Sequence, residues 1–428
     1  MFRKTAKTEK ERKGSGAMIK ERMKLNIARH IWVVPAIYSI GALLLAILIV
    51  WIDIAHYETV KKVVPNRLLT STSLTQTILG SIAGSLLTMT SITFSTLMVV
   101  LTTYSGQFSP RILQNFIHDK VTLRVLGVFM GGFVYSMFSL LFIREVNDDD
   151  PVISAAVGVC IALICLIFFA HFLQHVANSI QVTKLIDRIA DEAVEMIEKM
   201  GKQGRRTAER PDLEGKEWTQ LHFEKKGYIQ LYEVKKLLEA AEKHQCTIEL
   251  LEPIGSFVIK KAPMAKVYGT KAAAEAIHAS VKVGDERAPA QDVEFAIQKL
   301  AEITLRALAP GANDPNTAID SIRHIGMALK EASYLDGQYV VYDERLIVPQ
   351  RPFEELLYET FYEICYSGRD RVSVLIAVFD ALKMIERDQT PAIQKKVRKF
   401  GEYVRAKVEE DILNETDRRR ITERFEQL

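Results

Sequence analysis

The sequence predicts an α-helical integral membrane protein: four transmembrane helices followed by a mainly helical α+β cytoplasmic domain with a small β element. Three observations carry that prediction. Four windows of spanning length, all within the first 175 residues, hold no charged side chain. Beyond residue 181 charged and apolar residues alternate at helical spacing. Between residues 247 and 268 the pattern switches to the period of two that marks strands.

The chain opens with a basic arm, residues 1–30, carrying ten Lys/Arg against three Glu. Residues 1–17 read as a solvated tail, and Met18 offers an alternative start. The first span, Ile31 to Ile52, carries Trp32 and Trp51 at its ends, where indoles favour the membrane interface. No cleavage site of small residues follows, so the segment reads as a span and not as a secretory signal. The second window runs 43 residues between Arg67 and Arg111 without a charge. At helical rise it would reach about 65 Å, roughly twice a hydrocarbon core, so one span fills only its middle, Leu74 to Thr103. Val125 to Phe142 is the third span and Val152 to about Leu173 the fourth, which sets residues 31–175 as the transmembrane domain.

Orientation follows from basic residues. The loop from Arg144 to Asp150 is acidic, whereas the N-terminal arm is basic. The positive-inside rule therefore places the N-terminus in the cytoplasm of a cell (plasma) membrane protein, and four spans return the C-terminus there. Lys61, Lys62 and Arg67 weaken the contrast without reversing it. A net charge of +3 is too small to imply nucleic acid, so the expected partners are the lipid bilayer, further copies of the chain and ions. Cys160, Cys165, Cys246 and Cys365 show no zinc-type spacing, and no cofactor is expected.

Residues 176–200 read as an amphipathic stalk. Ile186, Ile189, Ala193, Ile197 and Met200 recur at three and four, with charges off that stripe, as a seam between protomers requires. Residues 201–215 read as a polar linker and 216–428 as the cytoplasmic soluble domain. The domain opens with Gly227–Leu231, and strands are expected at Thr247–Leu251, Gly255–Ile259 and Met264–Tyr268, as in a small β-barrel or hairpin sandwich. Helices are expected at Glu233–His244, Asp292–Leu308, Pro315–Lys330, Pro352–Ser367, Val372–Arg387 and Thr390–Leu413.

Three constellations carry possible chemistry. In the second span Ser81, Ser85, Thr88, Ser95, Thr102, Ser105 and Ser109 are spaced by three, four or seven and share a stripe. One reading has these hydroxyls bonding their own i−4 carbonyls and easing helix packing, with Gly80-x-x-x-Gly84 beside them. The other has the stripe lining a central aqueous path, with Phe94 and Met98 as apolar constrictions. His171 and His175 lie four apart, a spacing suited to a metal or a proton sensor, against the plainer reading of hydrated histidines at a helix end. In Pro310-Gly-Ala-Asn-Asp-Pro315 a turn with a capped helix start explains every residue, Gly311 permitting positive φ. A ligand or interface site at Asn313, Asp314 and Thr317 is the rival. No phosphate loop, zinc-protease helix, nucleophile elbow or dinucleotide fingerprint occurs, so no enzyme is expected.

Longer motifs remain. The run Ser105-Gly-Gln-Phe-Ser-Pro-Arg-Ile-Leu-Gln-Asn-Phe116 with Asp119, then Leu126-Gly-Val-Phe, Phe133-Val-Tyr135, Ser179-Ile-Gln181 and the run Arg306 to Ala318 resemble the domain-of-unknown-function 2254 family of predicted bacterial membrane proteins. The resemblance extends from about Ile27 to the last helices. It implies four N-terminal spans and a cytoplasmic C-terminal domain, and brings no established activity.

The expected function is an oligomeric membrane channel or pore with a cytoplasmic regulatory domain, the second span lining the path. The alternative is a membrane-anchored sensor or scaffold whose cytoplasmic domain binds a ligand or partner.

Overall fold

The computed structural model describes residues 32–55, 65, 69–107, 120–143, 152–179, 181–213, 215, 217–269, 273–288, 291–411 and 414–428. The basic arm, Lys61, Lys62, Arg67, the acidic loop 144–150, Ser109 and most of the motif at 105–116 lie outside those residues. The chain divides into two compact units, residues 1–106 with 110–180 and residues 107–109 with 181–428.

The first unit holds α1 (Val33–Ala55), α2 (Thr72–Gln107), α3 (Lys120–Phe142) and α4 (Ser154–Ser179). All four are long and apolar enough to cross a membrane. They pack through small residues, because lipid offers helices no hydrophobic incentive to associate and close backbone approach must substitute. The glycines that achieve this are Gly127, Gly131 and Gly132 of α3 and Gly158 of α4, not Gly80 and Gly84. A methyl on Gly127 would lie 2.8 Å from the Tyr38 ring of α1, and one on Gly131 3.2 Å from the Tyr38 carbonyl. Gly80 and Gly84 face open space. Ala46, Leu79 and Tyr135 form the centre of the unit, joining α1, α2 and α3.

The second unit opens with α5 (Val182–Gly201), β1 (Arg205–Thr207), β2 (Trp218–His222) and β3 (Gly227–Tyr232). It continues through α6 (Val234–Lys243), β4 (Thr247–Leu250), β5 (Phe257–Val258), β6 (Pro263–Tyr268), α7 (Ala274–Ser280) and β7 (Val281–Gly284). Next come α8 (Val293–Leu308), α9 (Pro315–Ser333), β8 (Tyr339–Tyr342) and β9 (Leu346–Pro349). Helices α10 (Phe353–Ser367), α11 (Val372–Glu386), α12 (Pro391–Asp411) and α13 (Glu415–Phe425) close it. Six strands form a sheet in the order β1-β8-β9-β4-β6-β2, and three form β5-β3-β7. The pairing of β4 with β9 is parallel and sets Ile248 opposite Leu346. Inward residues of both sheets, among them Ile229, Ile248, Val258, Val267 and Leu346, share one core with Leu237 of α6 and Ile277 of α7.

Two expectations change here. The stalk stripe is not left for another protomer: α5 packs on α8 and α9 of its own unit and buries Leu185, Ile186, Ile189, Ala190, Ala193 and Ile197. Apolar cover from the same chain satisfies the stripe first, because the two helices are already tethered to it. The segment 201–215 is no plain linker either, since β1 pairs antiparallel with β8. Arg206 ties that strand back to the stalk, donating from Nη2 at 2.7 Å to the Met200 carbonyl at the end of α5, which also accepts from the Gln203 N–H at 3.1 Å.

Candidate functional site

The second span buries one face and exposes another. Thr72, Thr75, Leu79, Ala83, Leu86, Thr93 and Val100 turn inward at spacings of three, four and seven. Ser81, Ser85, Thr88, Ser95 and Thr102 turn outward, uncovered by their own chain. Along that row hydroxyls donate to carbonyls one turn back: Ser81 to Thr77 at 2.9 Å, Ser85 to Ser81 at 2.8 Å, Thr88 to Gly84 at 3.1 Å and Thr102 to Met98 at 2.8 Å. In these four the proton is satisfied within the helix, so what they offer outward is an acceptor oxygen. Phe94 and Met98 are exposed as well, at 56% and 49%. Phe94 precedes Ser95 by one residue and so points about 100° away from it, at the flank of the row. Met98 follows Ser95 by three and lies beside it. Ser105 belongs to the same helix, in its last turn.

A second polar site was missed from sequence because it joins two helix ends far apart in the chain. Asp53, in the last turn of α1, is 2% exposed. Its carboxylate accepts from the Ile153 N–H at 2.9 Å, from the Ser154 N–H at 3.2 Å and from the Ser154 hydroxyl. These are the orphan donors at the start of α4, where the helix dipole also favours an anion. Tyr135 of α3 donates its hydroxyl to the Ser154 carbonyl at 3.0 Å. A short antiparallel bridge between Thr70 and Val152 closes the same end of the unit, with N–H···O distances of 3.1 and 2.9 Å. The available signal was a lone acid at the end of an apolar run, together with a Ser before another.

The remaining expected sites divide. His171 is exposed and His175 half-buried on α4. No group of three or more His, Cys, Asp or Glu that could hold a metal occurs among the described residues. At the 309–314 turn Asp314 caps α9, accepting from the Thr317 N–H at 3.1 Å and the Thr317 hydroxyl at 2.6 Å. The Thr317 bonds hold the Asp314 carboxyl below the usual carboxylate range. Pro315 stands at the start of that helix. The left-handed residue is Asn313, at φ 48°, and Gly311 is not in that region. Asn tolerates the left-handed well better than most other non-glycine residues, so the turn reverses two residues later than glycine placement suggests.

Elsewhere in the second unit Arg287 grips Asp292 with two bonds of 2.7 Å and reaches Glu294 at 2.9 Å. Arg351 lies 2.9 Å from the other Glu294 oxygen and 3.1 Å from Glu359. Burial raises the Glu359 pKa, and Glu294 and Glu355 add to the rise against Arg351. Asp292 also caps α8, accepting from the Phe295 N–H at 2.9 Å. Asp292, Glu294 and Arg351 form the charged wall of a cavity of about 120 Å³ whose other sides include Met200, Ile254 and Leu335. Such an enclosure, apolar with a few convergent polar groups, suits a small amphipathic molecule.

Comparison with known proteins accords with the membrane assignment. The model of a family described as "Predicted membrane protein (DUF2254)" matches residues 28–384. Uncharacterized proteins of Mycobacterium tuberculosis and Mycobacterium bovis are each 26% identical over 258 residues, covering 57% of this chain and 50% of theirs. The chain thus spans about half the length of the curated relatives it matches. No solved structure matches.

Proposed function

Because the chain belongs to the DUF2254 family of predicted membrane proteins, we propose that it assembles as an oligomeric pore or channel in the cell membrane, with α2 lining the path and the second unit regulating it. The observation that supports this is the uncovered hydroxyl row of α2. Polar atoms inside a membrane are best used against water or protein, and a row on the face opposite the buried one meets neither within a single chain. Lined by acceptor oxygens and by no charge, such a path would favour cations over anions. Met98, and Phe94 at the flank, would narrow it. Both termini would lie in the cytoplasm, and no catalytic step is part of the reading.

The test pairs labelling with conduction. Single cysteines at positions 81, 85, 88 and 95 should react with water-soluble reagents in the assembled protein. Purified protein in planar bilayers should carry unitary currents that Thr88→Leu alters. Reaction with lipid-soluble reagents alone, or silence under varied pH, voltage and tension, would reject the pore. The cavity walled by Glu294 and Arg351 supports the second reading, a membrane-anchored sensor whose second unit binds a ligand, and silent bilayers would favour it.

A further inference from the structure

Strands β2 and β3 are joined by a turn at residues 223–226, and β5 and β6 by a turn at 259–262. The two turns run side by side: the Phe223 N–H donates to the Ala262 carbonyl at 2.9 Å, and the Lys261 N–H donates to the Phe223 carbonyl at 2.8 Å. Phe223 itself is buried, 3% exposed, so the tip hangs on the core of its unit. Strand alternation then decides what the tip shows. Val258 points inward, whereas Phe257 and Ile259 on either side are 57% and 63% exposed. The Phe257 ring is braced edge-on by Tyr228, with centroids 5.1 Å apart, so it is presented outward at little cost in mobility.

The same two adjoining turns carry Lys225, Lys226, Lys260 and Lys261, all four exposed. None of the four is in an ion pair among the described residues. The acid of the tip, Glu224, lies 3.9 Å from His278. Lys261 occupies the left-handed position of its turn, at φ 69°, where a glycine would be less strained. Four exposed ammonium groups on two adjoining turns that also present two outward apolar side chains repel one another in free solution and favour an anionic, oily surface.

We propose that this lysine-bearing Phe257–Ile259 tip docks on the anionic headgroup face of the bilayer that anchors the chain. Phenylalanine and isoleucine would enter the boundary between headgroups and acyl chains while the lysines meet lipid phosphates. The proposal rests on membrane anchoring and on the charge complementarity of the tip, and stands whether or not the spans conduct.

The test uses the full chain in nanodiscs, with an environment-sensitive fluorophore on Ile259→Cys in a Cys160→Ser background. In discs containing phosphatidylglycerol the fluorophore should shift to the blue and be quenched by spin-labelled lipid. In pure phosphatidylcholine it should stay water-exposed, and high salt should reverse the docking. Each lysine changed to serine should weaken docking roughly fivefold, so Lys225→Ser, Lys226→Ser, Lys260→Ser and Lys261→Ser combined should abolish it. The same four positions changed to arginine should retain it, and hydrogen exchange in β3 and β6 verifies folding of each variant. A fluorophore on Met327→Cys, exposed elsewhere on the unit, should not respond. A water-exposed 259 probe in both lipids would overturn the proposal. So would protection that depends on two copies per disc instead of on lipid charge, since the tip would then face another protein.

Discussion

Asp53 and Ser154 stand 101 positions apart in the chain, yet the carboxylate of one accepts from both the backbone N–H and the hydroxyl of the other. Asp53 thereby supplies from α1 the cap that the start of α4 needs. The lone acid inside the described membrane helices is therefore accounted for by a structural role, and its removal should be felt throughout the first unit.

Asp53→Ala should destabilise the detergent-purified protein by about 1–3 kcal/mol, because it strands buried donors at the start of α4. Asp53→Asn keeps an acceptor oxygen and should fall between. Ser154→Ala should cost less than Asp53→Ala, and the double variant less than the sum of the two. Additive losses in thermal unfolding would show that the two side chains do not act together.

Glu249 of β4 gives a pH dependence. Burial pushes its pKa up, but Arg210, at 2.6 and 2.8 Å, and the Tyr268 hydroxyl, at 2.8 Å, outweigh it and hold the carboxyl below its ordinary value. A depressed folded pKa means a contribution complete above the unfolded value of about 4.3 and lost as pH falls through the folded one. Hydrogen exchange in β4 and β6 should therefore accelerate below about pH 4 in the wild type. Glu249→Gln should lose ~1.5–3 kcal/mol at neutral pH and show less of that acid limb. An unchanged acid limb in Glu249→Gln would assign it to other groups.

Ile189 and Ile197 of α5 are buried within their own unit at 3% and 1% exposure. Replacing either with Asp should destabilise the second unit by ~4 kcal/mol or more, as a desolvated charge without a partner. The expected readout is faster exchange in α8 and α9. Dissociation of an assembly whose second unit keeps wild-type exchange would mean instead that these side chains serve a seam between copies.

At the 309–314 turn, Asp314→Ala should cost ~1 kcal/mol through the lost cap. Gly311→Ala should be nearly neutral, since nothing lies within 4 Å of the added methyl. Asn313→Val should cost more than Asn313→Ala, because branching at Cβ disfavours the left-handed well. An Asn313→Ala protein of normal stability that loses conduction or ligand binding would convert this cap into a functional site.

The four apolar windows were legible because spanning length and absence of charge are local, one-dimensional properties. Strands β4, β5 and β6 were legible too, since period-two alternation survives wherever one face of a sheet is buried. Strands β8 and β9 were not: they pair with each other across a turn that holds Asp343 and Glu344 in the left-handed region, at φ 48° and 51°, with no glycine to mark it, and only their outer edges add to β1 and β4. The hydroxyl row of α2 could be drawn on a helical wheel, but its outward direction could not, because that depends on which neighbours cover Leu79 and Leu86.

What the sequence by itself determined, then, is the membrane class, the helix and strand periods, the family and the capped turn at Asp314, each set by side chains within a few residues of one another. Only the tertiary structure decided that Asp53 serves the start of α4, that Gly127, Gly131, Gly132 and Gly158 are close-packing glycines while Gly80 and Gly84 are not, and that the stalk stripe is covered by α8 and α9. It also brought the two lysine turns together beside Phe257 and Ile259. The physical reason is common to all four. A periodic pattern states that a face must be covered or a donor satisfied, whereas the identity of the cover depends on long-range packing that competes among every complementary face in the chain.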